Sequence, residues 1–310
     1  PSSPAWQNAT LRNNPLVPPA LQLILTPSSV KEVEKIVTFA NQYRIVLHPT
    51  VSTHGFTKTL TRATPGIQIN LTKFNSIRLI SKETIEIGGG ITAKEVIDFL
   101  FKQNLRATTP GCDCISFLGP ALGGGTGTYE GIYGLIGDGL VSVDIVTAKG
   151  TFRASAKENK ELFWALKGAG HNFGIVTSAR VRVHPIDKKV DGNEWLDAIF
   201  SYEATPSKIL QVSAPSSAVA WRRQVITTMM QVAFPISFKG TKTEKQIFEL
   251  GEKGRALLRK GEKGEKLVYV NYANGDEPQE EMFGRANLER LRALKRKWDG
   301  RGVFGGYNPI

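Results

Sequence analysis

His54, Cys112 and Cys114 are the side chains best suited to nucleophilic or ligating chemistry in a chain of 310 residues that has only 2 cysteines and 4 histidines. His54 stands in a loop of small residues, Val51-Ser52-Thr53-His54-Gly55. The cysteines stand in Gly111-Cys112-Asp113-Cys114, ahead of Gly119 and of Gly123-Gly124-Gly125-Thr126-Gly127. Taken singly, each has a plain reading: a hydrogen-bonding histidine, and a thiol that packs as a small apolar group. A bridge across one intervening residue would be strained, so the pair reads as local chemistry rather than as a disulfide framework. Consecutive glycines let backbone N–H groups approach an anion with no Cβ in the way, and they equally make a tight turn. The segment lacks the Lys-Ser/Thr of a P-loop, and it does not follow a strand and open a helix as a dinucleotide fingerprint does.

These residues need elements to position them. Ser28-Ser29 caps a helix whose apolar positions Val33, Ile36, Val37 and Phe39 recur at helical spacing to about Asn41. A strand over residues 44–49 then delivers the His54 loop. Alternation marks strands at 66–71 and 84–90, and Thr92 caps a second amphipathic helix reaching Gln103. Beyond the glycines come a strand at 140–148 closed by a Lys149-Gly150 turn, a helix at 158–167, and a long strand at 173–183 ending at His184-Pro185. Turn-rich sequence from 187 to about 220 marks the crossing into a smaller unit. There, helices at 243–259 and 282–297 flank a strand at 267–272. The pattern is α+β, without internal repeats.

Composition narrows the class. With 41% hydrophobic and 22% charged residues the chain is globular in character and long enough for two domains. The formal net charge of +12 sits largely in stretches where Lys and Arg alternate with Glu, which read as solvated helix faces. Neither a nucleic-acid motif nor a membrane span is expected. The polar start, with no apolar leader, fits a secreted chain whose signal peptide has been removed, and Asn8-Ala9-Thr10 and Asn70-Leu71-Thr72 are acceptor sequons for N-glycans.

Four ordered blocks resemble a known family. Residues 45–60, 111–148, 162–183 (with Gly168-Ala169-Gly170-His171-Asn172-Phe173-Gly174-Ile175-Val176-Thr177) and 269–310 are similar to fungal FAD-linked oxidoreductases of the berberine bridge enzyme type, within the PCMH or vanillyl-alcohol oxidase superfamily. The resemblance implies a PCMH-type FAD-binding domain of two α/β subdomains over residues 1–185. A shortened α+β substrate domain follows over 186–267, and 268–310 returns to the flavin domain. It implies that His54 bonds the flavin 8α-methyl carbon and that Cys112, eleven residues ahead of Gly123, bonds flavin C6. Cys114 matches no attachment position. Val51, Ser52, Thr53, Gly55, Gly119, Gly123, Gly124, Gly125 and Gly127 match the cofactor loops. Gly174, Ile175 and Val176 match the adenine-side strand. Tyr269 matches a catalytic base, with Asn271 beside the flavin ring, and Tyr133 matches a second active-site tyrosine.

Three departures carry consequences. Ser52-Thr53 stands where the family's loop has two glycines, so each Cβ crowds the pyrophosphate. Trp298-Asp299-Gly300 lacks a proline after the aspartate, a change expected on a surface turn. Residues 186–267 are too few for the sheet that normally covers the flavin, and a missing segment is expected between Ala204 and Trp221. The implied activity is hydride transfer from a carbon bearing oxygen or nitrogen, in a carbohydrate or secondary metabolite, to flavin N5. Dioxygen is the expected acceptor and the protein a monomer. The alternatives are a flavin scaffold serving as a non-redox cyclisation or binding template, and an inactive chain.

Overall fold

A computed structural model describes residues 3–13, 19, 21–55, 57–62, 66–187, 216–220, 240–258, 260 and 265–310. The elements run α1 (Pro4–Thr10), β1 (Leu21–Leu25), α2 (Val30–Tyr43), β2 (Val46–Thr50), β3 (Gly66–Asn70), β4 (Ile77–Ser81), β5 (Thr84–Gly88), α3 (Ala93–Lys102), β6 (Leu105–Arg106), α4 (Leu118–Leu122), α5 (Glu130–Tyr133), β7 (Leu140–Thr147), β8 (Gly150–Ser155), α6 (Lys160–Leu166), β9 (Ile175–Arg182), β10 (His184–Pro185), α7 (Lys242–Leu258), α8 (Gln279–Phe283) and α9 (Arg285–Asp299).

Two larger sheets organise the described residues, beside a two-stranded pairing of β6 with β10. The first is parallel, ordered β1-β3-β2, and α2 lies against it through the buried Val33, Val37 and Ala40. The Ser29 hydroxyl accepts the Glu32 N–H at the start of α2, and the helix stops where Arg44 turns left-handed at φ 55°. The second sheet is antiparallel throughout, ordered β4-β5-β9-β7-β8. Its inward residues Ile85, Ile87, Val143, Ile145, Ala179 and Val181 share one core with α3, α6 and α9. At α3, Thr92 and Glu95 cap each other's backbone in both directions, which fixes where this helix begins. Val146 and Ile175, at the end of β7 and the start of β9, pack into the core of the parallel sheet, so the two subdomains are interlocked.

The C-terminal segment closes the seam. Val303 and Phe304 are buried in the parallel-sheet core, and Val303 accepts the Leu47 N–H at 2.8 Å. Here the expected surface turn at residues 298–300 is corrected. Trp298 and Asp299 are buried, and the Lys295 ammonium donates to Asp299 Oδ2 (2.7 Å), the Asn172 carbonyl (2.7 Å) and the Phe304 carbonyl (3.3 Å). The Asp299 carboxylate in turn accepts the Val303 and Phe304 N–H groups. Burial pulls the Lys295 pKa below its usual value, against the opposing pull of Asp299.

Other expectations shift as well. The strand expected at 267–272 is an extended entry and a 3-10 turn over Val270–Tyr272. One helix expected over 282–297 is two, divided at Gly284, whose φ is 75° and where a Cβ would sit 2.8 Å from Ala220 Cβ. β1, β4 and β8 were not expected. The junction between Ala204 and Trp221 lies mostly outside the described residues, as does most of the 186–267 unit. Among the described residues no helix is long and apolar enough to cross a membrane.

Candidate flavin site

Loop 51–55 leaves the carboxyl end of β2, the side of a parallel sheet on which ligand-binding loops gather. Val51 anchors it against the parallel-sheet core. The Ser52 hydroxyl accepts the Ser116 N–H at 3.2 Å, which pins this loop to the one carrying the cysteines. That second loop is held from beneath by the start of α3, where Ala93 and Lys94 N–H groups donate to the Ile115 and Asp113 carbonyls. In consequence a ring nitrogen of His54 and the sulfurs of Cys112 and Cys114 all lie within 4.8 Å of one another. The sulfurs are 2.6 Å apart, both cysteines are free, and hydrogen bonding to Cys112, then burial, raises the Cys114 pKa. Cys114, expected to be incidental, belongs to the cluster. Its spacing of two from Cys112 was the available signal, and the turn over residues 112–115, closed by the Ile115 N–H on the Cys112 carbonyl, brings the two thiols together.

Thr53 pays a conformational penalty in this loop: its φ is 51°, a left-handed value unusual for a β-branched residue. Gly55 is required by contact, since a Cβ there would come within 2.8 Å of the Tyr307 ring.

The Gly-rich segment is largely engaged with its own protein. Gly123 and Gly124 donate to the Pro120 and Ala121 carbonyls and close α4, Thr126 N–H donates to the Tyr269 hydroxyl, and Gly127 N–H donates to the Glu130 carboxylate. Cβ atoms would strike Asn271 at Gly123, Ile136 at Gly125 and the Thr109 carbonyl at Gly127. Gly119 donates to the Ser116 hydroxyl, and a Cβ there would meet the same oxygen. These glycines are therefore explained by close internal packing, and among the described residues only the Gly125 N–H of the run 123–127 has no partner. Gly174, Ile175 and Val176 are buried at the head of β9, with Gly174 packed on the Val146 carbonyl.

Tyr269 and Asn271 do lie side by side, through the 3-10 turn rather than through strand alternation. Asn271 Nδ2 donates to the Tyr269 hydroxyl (2.6 Å) and to the Pro120 carbonyl (2.9 Å). Burial pushes the Tyr269 pKa up to about 12, only partly offset by the Thr126 and Asn271 donors, so the phenol is neutral. Tyr133 belongs to a different cluster: its ring stacks on His184 at 3.7 Å, and both line a pocket of about 270 Å³ with Thr108, Asp138 and Arg182. Burial, then Arg182 and Arg106, lower the His184 pKa.

Sequence reasoning missed two further groups. Glu130, its pKa raised by burial, accepts the Gly127 amide. His171 stacks edge-on to Tyr307 and has an enclosed Nε2 with no partner among the described residues. Glu130 carries no motif visible in one sequence, and His171 stands in the matching block 168–177 with no role attached to it there.

A parallel three-stranded unit interlocked with a five-stranded antiparallel one, joined by loops that bring imidazole and thiol together, defines a two-subdomain cofactor-binding fold. Comparisons with known proteins say which. A family profile described as "FAD binding domain" matches residues 21–155, and one described as "Berberine and berberine like" matches residues 268–310. The chain belongs to the berberine-bridge-like FAD-binding flavoproteins. It is 35% identical over 195 residues to FAD-linked oxidoreductase OXR2 of Pyricularia oryzae, covering 62% of this chain and 37% of that protein. It thus spans well under half the length of that relative. It is 24% identical to FAD-linked oxidoreductase srdI of Neurospora crassa over 443 aligned positions, covering 100% of this chain and 88% of that protein. Among solved structures it is similar in fold to the glucooligosaccharide oxidase of Acremonium strictum, an enzyme with a 6-S-cysteinyl, 8α-N1-histidyl FAD. There the TM-score is 0.78 at 16% identity, covering 100% of this chain and 95% of that one.

The donor set fits that cofactor: the 8α-methyl and C6 positions lie on one edge of the isoalloxazine, and two nucleophiles within 4.8 Å of each other, on loops pinned together, can address a single edge.

Proposed function

We propose that the chain is the FAD-holding unit of an oxidase acting on an alcohol or amine carbon of a carbohydrate or secondary metabolite, with dioxygen as electron acceptor and FAD tethered through His54 and Cys112. The observation that carries this reading is the approach of the His54 nitrogen and the Cys112 sulfur, from loops otherwise remote in sequence, to within 4.8 Å. When bound, the flavin supplies hydride acceptance at N5 and electron transfer to dioxygen. The chain's residues hold and orient it: two tethers fix one ring edge, and Gly125 offers its N–H to an anionic group. Tyr269, held by Thr126 and Asn271, presents a neutral phenol oxygen that can take a substrate proton only if the loaded site lowers its pKa from about 12. That same raised pKa favours the second reading, a flavin scaffold used as a non-redox template.

Acid precipitation of the purified chain is the test for the tethers. Yellow colour should stay with wild-type protein, persist in part in each of His54→Ala and Cys112→Ala, and wash out of the double variant. Wild-type flavin that washes out refutes both tethers. Anaerobic bleaching by a panel of oligosaccharides, alcohols and amines supports the oxidase, whereas turnover without bleaching supports the template. We also place the protein in the secretory pathway, with exposed Asn8 and partly exposed Asn70 as glycan acceptors, a reading that a mobility shift on enzymatic deglycosylation would support.

A further inference from the structure

We propose that, in chains not yet flavinylated, His54, Cys112 and Cys114 form a three-ligand site for a soft divalent cation of the zinc type, and that its occupancy excludes tethering of the flavin. The metal site stands on the geometry of the three residues alone; the exclusion rests on the proposed roles of His54 and Cys112 as tethers.

Three observations carry it. The three ligand atoms lie within 4.8 Å of one another. Tetrahedral zinc, with Zn–S about 2.3 Å and Zn–N about 2.0 Å, needs its ligand atoms roughly 3.5–3.8 Å apart, so the cluster reaches that geometry when the sulfurs, now 2.6 Å apart, separate by about 1 Å and the imidazole nitrogen, within 4.8 Å of them, adjusts to match. Room for that separation exists: a Cβ built at Gly111 meets nothing within 4 Å, and Cys114 is exposed. The Ser116 N–H to Ser52 hydroxyl bond and the two α3 amides hold the loops in place, so the site is assembled before any ligand arrives.

Ligand chemistry selects the cation. Two thiolates and an imidazole are the donors of zinc, cobalt(II) and copper(I), not of magnesium or calcium, which take oxygen. Binding releases the two thiol protons to solvent and leaves the metal's fourth position to water. No electrons are transferred. Cys114 gains a role in this arrangement that the flavin reading leaves without one: it completes the metal site and takes no part in the tether.

The test uses the full chain produced in riboflavin-starved cells and titrated with cobalt(II), then with zinc in competition. Wild type should bind one cobalt per chain with a thiolate-to-cobalt charge-transfer band that zinc abolishes. Zinc-loaded chain given FAD should retain no acid-stable flavin until a chelator is added. Cys114→Ser should weaken metal binding by at least about tenfold, the loss that even outer-shell partners of a metal can cause. It should still form acid-stable flavin as wild type does, and an unchanged thermal midpoint shows that it folds. Absence of the charge-transfer band, thiols that titrate as a Cys112–Cys114 disulfide, or binding that survives Cys114→Ser overturns the metal site. A band present while flavin attaches equally well to zinc-loaded chain overturns the exclusion. Failure of the tether itself shows separately, as absence of acid-stable flavin in metal-free wild type.

Discussion

Thr53 concentrates the site's local tension in one residue. A β-branched side chain at φ 51° costs on the order of 1 kcal/mol, whereas asparagine visits this region readily without the entropy loss that glycine brings. Thr53→Asn should therefore stabilise the chain by about 0.5–1 kcal/mol, read as a rise in urea midpoint at constant m-value. Acid-stable flavin should rise with it; a lower midpoint would show that the threonine side chain makes a contact worth more than its strain. The sequence disclosed this position as a departure from the family's two glycines. Its backbone angle was not legible there, because a lone Ser-Thr pair carries no turn signal. His54 and Cys112 were legible as separate candidates, and only the fold reveals that Cys114 joins them.

Elements show the same division. α2 and α3, with side-chain caps and helical apolar spacing, and β7 and β9, with long alternation, stood out because local pattern and tertiary role agree. Residues 269–272 alternate like a strand, yet Tyr269 and Asn271 are drawn to Thr126 and Pro120, and those tertiary bonds win over β propensity. β4, largely exposed, shows no buried face to read. The Lys295–Asp299 pair on α9 was hidden for another reason, since i,i+4 charges ordinarily mean a solvated face. Removing one partner leaves a charge buried, so Asp299→Ala should cost about 3–5 kcal/mol in denaturant unfolding. Lys295→Met with Asp299→Leu should restore a good part of that, and failure to do so would point to the Val303 and Phe304 amides rather than to the ion pair.

At the scale of the whole molecule, His171 acts as an acid-sensitive lock. Its pKa falls to about 3 in the folded chain, through burial first and then Lys295, while the unfolded imidazole titrates near 6.5. Between those values the unfolded state holds more protons, so stability should be full above pH 6.5 and fall by up to about 1.4 kcal/mol per unit as pH drops below it. The imidazole keeps some surface accessible although its Nε2 is enclosed, so the measured slope should lie below that limit. His171→Asn should flatten part of the slope between pH 6.5 and 5, the remainder belonging to His184, whose pKa is also lowered, before the carboxylates of Glu86, Asp144 and Glu161, all held below their usual pKa, begin to contribute. An unchanged slope would assign the acid sensitivity elsewhere.

The buried C-terminal segment also sets a timetable. Leu47, near the start of the chain, waits for Val303 to accept its N–H, and Thr57 and Thr59, just beyond the His54 loop, bond Asn308. On a ribosome these partners emerge about 250 residues after the loop that they complete, and such distant pairings form slowly. The loop that is to present His54 therefore acquires its final shape only once residues 303–308 have been made, so attachment of the cofactor should follow their docking rather than precede it.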